Sequence, residues 1–378
     1  MAMVSSFLIY AASFLAVLTA IIFVHEWGHY IVARLNGVRV EVFSIGFGPE
    51  LTGWNDRHGT RWKISMVPLG GYVKFFGDAG AASAPGENLG SMTPAERAVS
   101  YHHKRLLSRA AVTFAGPAAN FIFAAIVFAV LFATVGQPFT PALVGDVVPG
   151  SAAAEAGFQP GDRIVAIDGS SVERFEDIRA RVALSANTGL SVTVVRGGAE
   201  RQLTVTPRRV EVPDGFGGKQ RIGQIGIKAP GAMEFVRHRP LVAVWYGIRE
   251  TGAVASNSLV YLGRIFTGKE SGRELGGPLR IAQISGEVAQ VSLIGLVQLV
   301  ATLSVSIGLI NLFPIPMLDG GHLLFYAVEA VRGRPLGARA QDLGFRVGLL
   351  VVLSIFVFAT WNDLVHLGLV PFITGLFS

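Results

Sequence analysis

His25-Glu26-Trp27-Gly28-His29 stands inside an otherwise apolar stretch, residues 7–33, long enough to cross a bilayer. An H-E-x-x-H run on a helix sets two imidazoles one turn apart on the same face, where both can bind one zinc ion. The glutamate between them can then polarise a water at the metal. Three ionisable side chains in a membrane span cost roughly 2.5–3.5 kcal/mol each on insertion scales, so they mark a use. The chemistry implied is hydrolysis within or near a membrane.

Two ligands do not complete such a site. A catalytic zinc needs a third protein ligand and one position left open for water. The chain has no cysteine, so that ligand is His, Asp or Glu. The best candidate is Asp319, in Asn311-Leu312-Phe313-Pro314-Ile315-Pro316-Met317-Leu318-Asp319-Gly320-Gly321-His322. Two prolines break the helix there, and irregular backbone is tolerated at membrane depth where it lines a protein cavity. That lets a carboxylate turn inward. His322 competes as a ligand but reads better as a packing residue, and His102 and His103, beside Lys104 and Arg105, read as headgroup-facing.

The elements that must position these residues are membrane helices. Of 378 residues, 51% are apolar and only 15% charged, against the roughly 25% charged of soluble domains. This is an integral membrane protein with room for an extramembrane domain. The net charge of +6 sits beside apolar spans, which fits anchoring and orientation and excludes nucleic acid as the partner. The N-terminal apolar run lacks a basic leader and continues through the histidines, so it reads as a retained span, not a signal peptide.

Four segments pass as spans: about 5–35, 109–135, 291–313 and 345–372. Connection 36–108 carries eight Lys and Arg, and the short connection between the last two spans carries Arg332, Arg334 and Arg339. By the positive-inside rule both are cytoplasmic, and both termini lie outside with the long middle region. The histidine motif and Asp319 then sit at the cytoplasmic ends of the first and third spans, where they can converge. The fold class expected is a polytopic α-helical membrane protein of about four transmembrane helices, with an inserted α+β domain, whose motif below resembles a PDZ domain, and a membrane-associated β-hairpin.

The hairpin is read in Trp62–Val67 and Tyr72–Phe76, with Gly70-Gly71 as its turn. Residues 79–91, rich in Gly, Ala and Ser, read as a flexible loop. Thr93-Pro94-Ala95-Glu96 has the form of a capping box opening a basic helix. Residues 241–266 are apolar but interrupted by Arg249, Glu250 and Arg264, which predicts an interfacial helix. Domains are accordingly expected at 1–35, 36–108, 109–136, 137–210 (the PDZ domain), 211–290 (a periplasmic linker with the interfacial helix) and 291–378.

Ala156-Gly157-Phe158-x-Pro160-Gly161-Asp162-Arg163-Ile164-x-x-Ile167-Asp168-Gly169 resembles a PDZ domain of the circularly permuted bacterial kind. With it, His25-Glu26-x-x-His29, Gly70-Gly71-Tyr72-Val73-Lys74, Gly116-Pro117-x-x-Asn120, Gly277-Pro278 and the Asn311–His322 run resemble the site-2 protease family, specifically the bacterial RseP type (regulator of sigma-E protease). The resemblance spans nearly the whole chain. It implies one zinc ion held by His25, His29 and Asp319, with Glu26 as general base. It implies cleavage of membrane-spanning helices in single-span regulators such as anti-sigma factors, and of remnant signal peptides, in the bacterial inner membrane. Asn120, Asn311, Pro314 and Pro316 match residues that hold substrate in the family. The hairpin, with Gly70, Gly71 and Tyr72, is the expected edge for pairing with an unwound substrate. The best-known relative carries two PDZ domains; this chain shows one.

Two other classes compete. A non-enzymatic adaptor with a vestigial site would be expected to lose Glu26 or a ligand, and none is lost. A metal transporter would want polar motifs repeated along several helices and internal symmetry. Neither is present.

Overall fold

The structure, a computed structural model, describes residues 2–80, 86–213, 219–231, 234–268 and 276–366. Part of the expected loop 79–91, and the expected end of the fourth span at 372, lie outside the described residues. The chain forms two compact units: residues 1–130, 244–260 and 273–378, and residues 131–243 and 261–272.

Helices dominate the first unit: α1 (Ala2–Leu35), α2 (Pro94–Val99) and α3 (Leu106–Thr134), then, after the intervening elements, α7 (Pro278–Val291), α8 (Leu293–Asn311), α9 (Asp319–Arg332) and α10 (Ala338–His366). Among the described residues, four segments are long and apolar enough to cross a membrane: Leu8–Leu35, Leu106–Thr134, Leu293–Asn311 and Arg339–Val365. Ile122, Ile126 and Val130 on α3 and Leu349, Leu353 and Val357 on α10 face outward. Such continuous apolar faces suit lipid and not water. Among α1, α7 and α8 the packing is direct.

The start of α7 is held from a distance. Asp363 of α10 accepts from the backbone amide of Gly277 at 2.8 Å, and from those of Leu279 at 3.0 Å and Arg280 at 3.1 Å. A helix N-terminus has amides with no partner of its own, and a buried carboxylate satisfies them while matching the helix dipole. The expected capping box is present: Glu96 N donates to Thr93 Oγ1, and Thr93 N to the Glu96 carboxylate.

Between α1 and α2 lie β1 (Val40–Asn55) and β2 (Arg61–Phe75). The turn between them is not Gly70-Gly71. It is Asp56–Thr60, where the Asp56 carboxylate accepts from His58 N at 2.8 Å and Thr60 N at 2.9 Å, and Gly59 takes φ +81°. An aspartate bonding its own backbone two residues on is strong turn chemistry. Gly70 instead sits inside β2 at φ +136°, amid register shifts that bend the ladder. Residues 42–45 of β1 face residues 61–64 in one register and residues 71–74 in another. Its partner is thus an upstream strand, 40–55, that the alternation in 62–76 does not announce. Phe43 stacks on Trp62 at 4.2 Å between ring centres and packs with Tyr30, Val40, Val73 and Phe75 into a small core against α1.

In the second unit, β3 (Gln137–Phe139), β4 (Asp146–Val147), α4 (Ala152–Glu155), β5 (Arg163–Ile167), β6 (Ser170–Ser171), α5 (Phe175–Leu184), β7 (Leu190–Arg196), β8 (Ala199–Val205), β9 (Arg208–Pro213), β10 (Lys219–Gln224), β11 (Ile227–Lys228) and β12 (Glu234–Val236) follow in order. One sheet runs β6-β5-β7-β8. Its core packs Val144, Ile164, Ile167, Ile178, Val192 and Val194. The boundary at 210 is too short. Ile225 belongs to this core, β11 pairs with β4, and β12 pairs with β3. The closing strands are short and lie far along the chain from their partners, so no local pattern marks them. Residues 240–266 form one helix, α6 (Pro240–Phe266), outside the four candidate spans.

Asp56 offers a test of the hairpin. Burial alone would raise its pKa, but hydrogen bonds from Trp62 Nε1, the Thr60 and His58 amides and Tyr30 OH bring it down to about 2. A depressed carboxylate contributes stability that is present above its unfolded pKa, near 4, and lost as pH falls through 2. Asp56→Asn should therefore lower stability by about 1 kcal/mol at pH 7, after discount for partial exposure. In detergent melts, the gap to the unsubstituted protein should close between pH 4 and pH 2.

Candidate active site

α1 carries His25 and His29 four residues apart, and their Nε2 atoms lie 3.2 Å from each other. Asp319, the first residue of α9, brings Oδ2 to 3.1 Å from His25 Nε2 and Oδ1 to 3.5 Å from His29 Nε2. The break at Pro314 and Pro316 makes this possible. Met317 follows at φ +86°, a conformation that costs about 1–3 kcal/mol in a non-glycine residue and turns the chain back so that α9 starts at the histidines.

Among the described residues, these three form the one cluster of His, Asp and Glu that could hold a metal ion. The donor set fits zinc. Two nitrogens bound tetrahedrally at 2.0–2.1 Å are about 3.3–3.4 Å apart, close to the separations seen. Asp319 Oδ2 is buried without a hydrogen-bond partner although His25 Nε2 is beside it. Three polar atoms crowd toward one point, each offering a lone pair when it carries no proton, and a cation at that point would relieve the crowding.

Neighbouring backbone sets the orientation of the ligands. His29 Nδ1 donates to the Val112 carbonyl of α3 at 2.8 Å, which leaves Nε2 free to face the cluster. Gly116, one turn along α3, is where the imidazoles pass. A Cβ there would strike His29 Nε2 and lie 2.9 Å from His25 Nε2. Glu26 lines the site together with Gly71, Tyr72 and Val73 of β2. Gly71 permits that approach, since its Cβ would sit 2.7 Å from Ile22 and 2.8 Å from the Ser44 carbonyl.

A cavity opens on the cluster, lined by Glu26, Gly71, Tyr72, Asn311, Met317 and His322 among others. Asn311 also anchors its amide on the Ile307 carbonyl at 3.1 Å. A second, more apolar cavity adjoins it, sharing His25, Glu26, Gly71 and Asn311 and adding Gly70, Phe14, Ile281 and Phe356. Gly70, Gly71, Tyr72 and Asn311 therefore border the cavities beside the cluster. Asn120 does not, being wholly buried. Neither cavity is lined by Pro314, which is exposed, or by Pro316, which packs on Gly321 and Gly348. His322 faces the first cavity but stays out of the cluster. His102 is not turned to headgroups; it pairs with Asp78 at 2.8 Å.

The sequence reading passed over Tyr101, Thr113 and Tyr326. Tyr101 OH lies 2.7 Å from Tyr326 OH and 2.9 Å from Thr113 Oγ1, while Arg109 pairs with Glu329 and covers the Tyr326 ring. No motif joins residues so far apart in the chain.

A model of peptidase family M50 matches residues 13–355. The chain belongs to peptidase family M50. This is the site-2 protease family, and its members are membrane-embedded. The chain is similar to a protein of Agrobacterium fabrum named as a zinc metalloprotease, 50% identical over 359 residues that cover 94% of this chain and 95% of the relative. It is also similar to the metalloprotease MmpA of Caulobacter vibrioides, 42% identical over 395 residues, covering 98% and 99%. As an M50 peptidase, the protein is a zinc metalloprotease.

Gly116→Ala tests the tight passage of the imidazoles. It should cut bound zinc and proteolysis at least tenfold, while helix content by circular dichroism stays unchanged. Metal analysis of the purified variant decides it.

Proposed function

We propose that the protein hydrolyses peptide bonds in transmembrane segments of single-span membrane regulators, such as anti-sigma factors, and in remnant signal peptides. The observation that carries this reading is the convergence of His25, His29 and Asp319 at one end of an apolar helix, with Glu26 against the same cavity.

His25, His29 and Asp319 would hold the zinc ion. When bound, it polarises the scissile carbonyl and stabilises the developing oxyanion. Glu26 takes the proton of the attacking water and delivers it to the leaving amide nitrogen. A substrate helix keeps its carbonyls in internal hydrogen bonds, so it must unwind before attack. Gly70, Gly71 and Tyr72 on β2 offer backbone to the extended segment, and Asn311 an amide group. Pro314 and Pro316 act through the backbone they bend. The distribution of Lys and Arg supports a bacterial inner membrane with the active site toward the cytoplasm. The domain that starts near 137 is read as a periplasmic PDZ domain that screens substrates.

Cleavage of a model single-span substrate in detergent tests the reading. Glu26→Gln should keep zinc and lose activity by a factor on the order of 10²–10⁴, whereas His25→Ala should lose both. A zinc chelator should stop the unsubstituted enzyme. Cleavage surviving in Glu26→Gln would remove that residue from the proton transfer. Deleting residues 137–236 should broaden the substrates cleaved without abolishing catalysis; a dead deletion counts against screening.

A further inference from the structure

Asn120 has an unexplained arrangement. Its side chain is wholly buried, its amide Nδ2 lies 3.3 Å from His25 Nδ1, and its Oδ1 is buried with no hydrogen-bond partner. Contact with α8 is made by other atoms: the Asn120 backbone carbonyl accepts from Ser304 Oγ at 3.1 Å, and its Cβ packs over Gly308. The carboxamide is therefore not needed to join the helices, and it lines neither cavity at the cluster. What it touches is the back of one imidazole.

A neutral imidazole carries one proton and one lone pair on its two nitrogens. For His25 to present the Nε2 lone pair to a metal, its proton must sit on Nδ1, and a buried N–H needs an acceptor. His29 has one in the Val112 carbonyl. Val112, Gly116 and Asn120 are spaced by four along α3, so they share the face turned to α1. The corresponding backbone position gives His25 no carbonyl, and the side chain of Asn120 stands there instead. Rotating the carboxamide by half a turn leaves its shape unchanged and brings the unpartnered Oδ1 onto Nδ1–H.

We infer that Asn120 is a positioning residue for the metal: its carboxamide oxygen accepts the Nδ1 proton of His25 and so holds the Nε2 lone pair toward the zinc. An amide can partner either tautomer. With Nδ2 toward the ring, as in this structure, the proton falls on Nε2, next to Asp319; with Oδ1 toward the ring, it falls on Nδ1 and Nε2 is open to zinc. This rests on His25, His29 and Asp319 as the zinc ligands.

The test is zinc affinity of the full-length protein in detergent, by competition with a chromophoric chelator, with zinc alone as the probe. Asn120→Leu keeps the shape and removes the acceptor; its zinc dissociation constant should rise about 10–100-fold, with KM for a model substrate unchanged at saturating zinc. Asn120→Asp keeps the acceptor and removes the amide donor, and should bind zinc within threefold of the unsubstituted protein. This variant decides the matter even where Asn120→Leu does not fold. A tenfold loss of zinc affinity in Asn120→Asp overturns the inference, as does wild-type affinity in Asn120→Leu with a raised KM. Failure of the unsubstituted protein to bind zinc, or His25→Ala binding as well as it does, overturns the ligand assignment instead.

Discussion

The structure turns on crowding. Two imidazole nitrogens and a carboxylate are held within 3.5 Å of one another in apolar surroundings, from segments at opposite ends of the chain. Left alone, such a cluster is unfavourable, because buried lone pairs without protons or a cation repel in a low dielectric. Everything near it is arranged to hold this geometry. The Val112 carbonyl fixes one ring, Gly116 makes room for both, and the strained backbone at Met317 aims the carboxylate.

Of the three residues in the cluster, Asp319 is the one most in need of restraint, since it follows an irregular segment and not a continuous helix. Asp319 and Tyr326 are seven residues apart on α9, two turns along nearly the same face. Tyr326 OH meets Tyr101 OH at 2.7 Å, and Glu329 pairs with Arg109 at the head of α3. A rotation of α9 that moved Asp319 away from the histidines would break both contacts. Arg109 also covers the Tyr326 ring, with its guanidinium carbon 4.9 Å from the ring centre. The lock is polar and buried, which makes it specific in register where apolar packing alone would allow slippage.

The parts legible in the sequence are those whose physics is local. H-E-x-x-H is a property of one helical turn, and the prolines before Asp319 announce a break where they stand. The four apolar segments appear as helices near the expected places. The hairpin was misread because Gly-Gly looks like a turn, whereas the residues that turn the chain are Asp56 and Gly59, and the strand that fills the other side, 40–55, has little alternation of its own. The end of the second unit was missed because β11 and β12 find their partners across some 80 to 100 residues. Asn120 was assigned to substrate on resemblance, while its burial and its neighbour His25 are tertiary facts that no spacing contains. Nothing near Asp363 in the sequence announces that it caps α7, more than 80 residues away.

Hydrolysis next to lipid poses two opposed demands, and the two cavities divide them. One side of the site is lined by Phe14, Leu18, Ile22, Phe47, Ile281, Ile307 and Phe356, groups that suit the side chains of an apolar segment. The other side gathers Glu26, His29, Asp319, Tyr72 and His322, groups that suit water and charge. His25, Glu26, Gly71 and Asn311 belong to both, so they form the seam. On the proposed function, a peptide lying in the apolar side would present its backbone at that seam while its side chains stayed out of water, and Glu26 would move protons without opening the apolar side to solvent. α7 and α10, joined through Asp363, hold Ile281 and Phe356 in the apolar wall. The carboxylate that looks misplaced in the fourth span thus supports the same site from outside it.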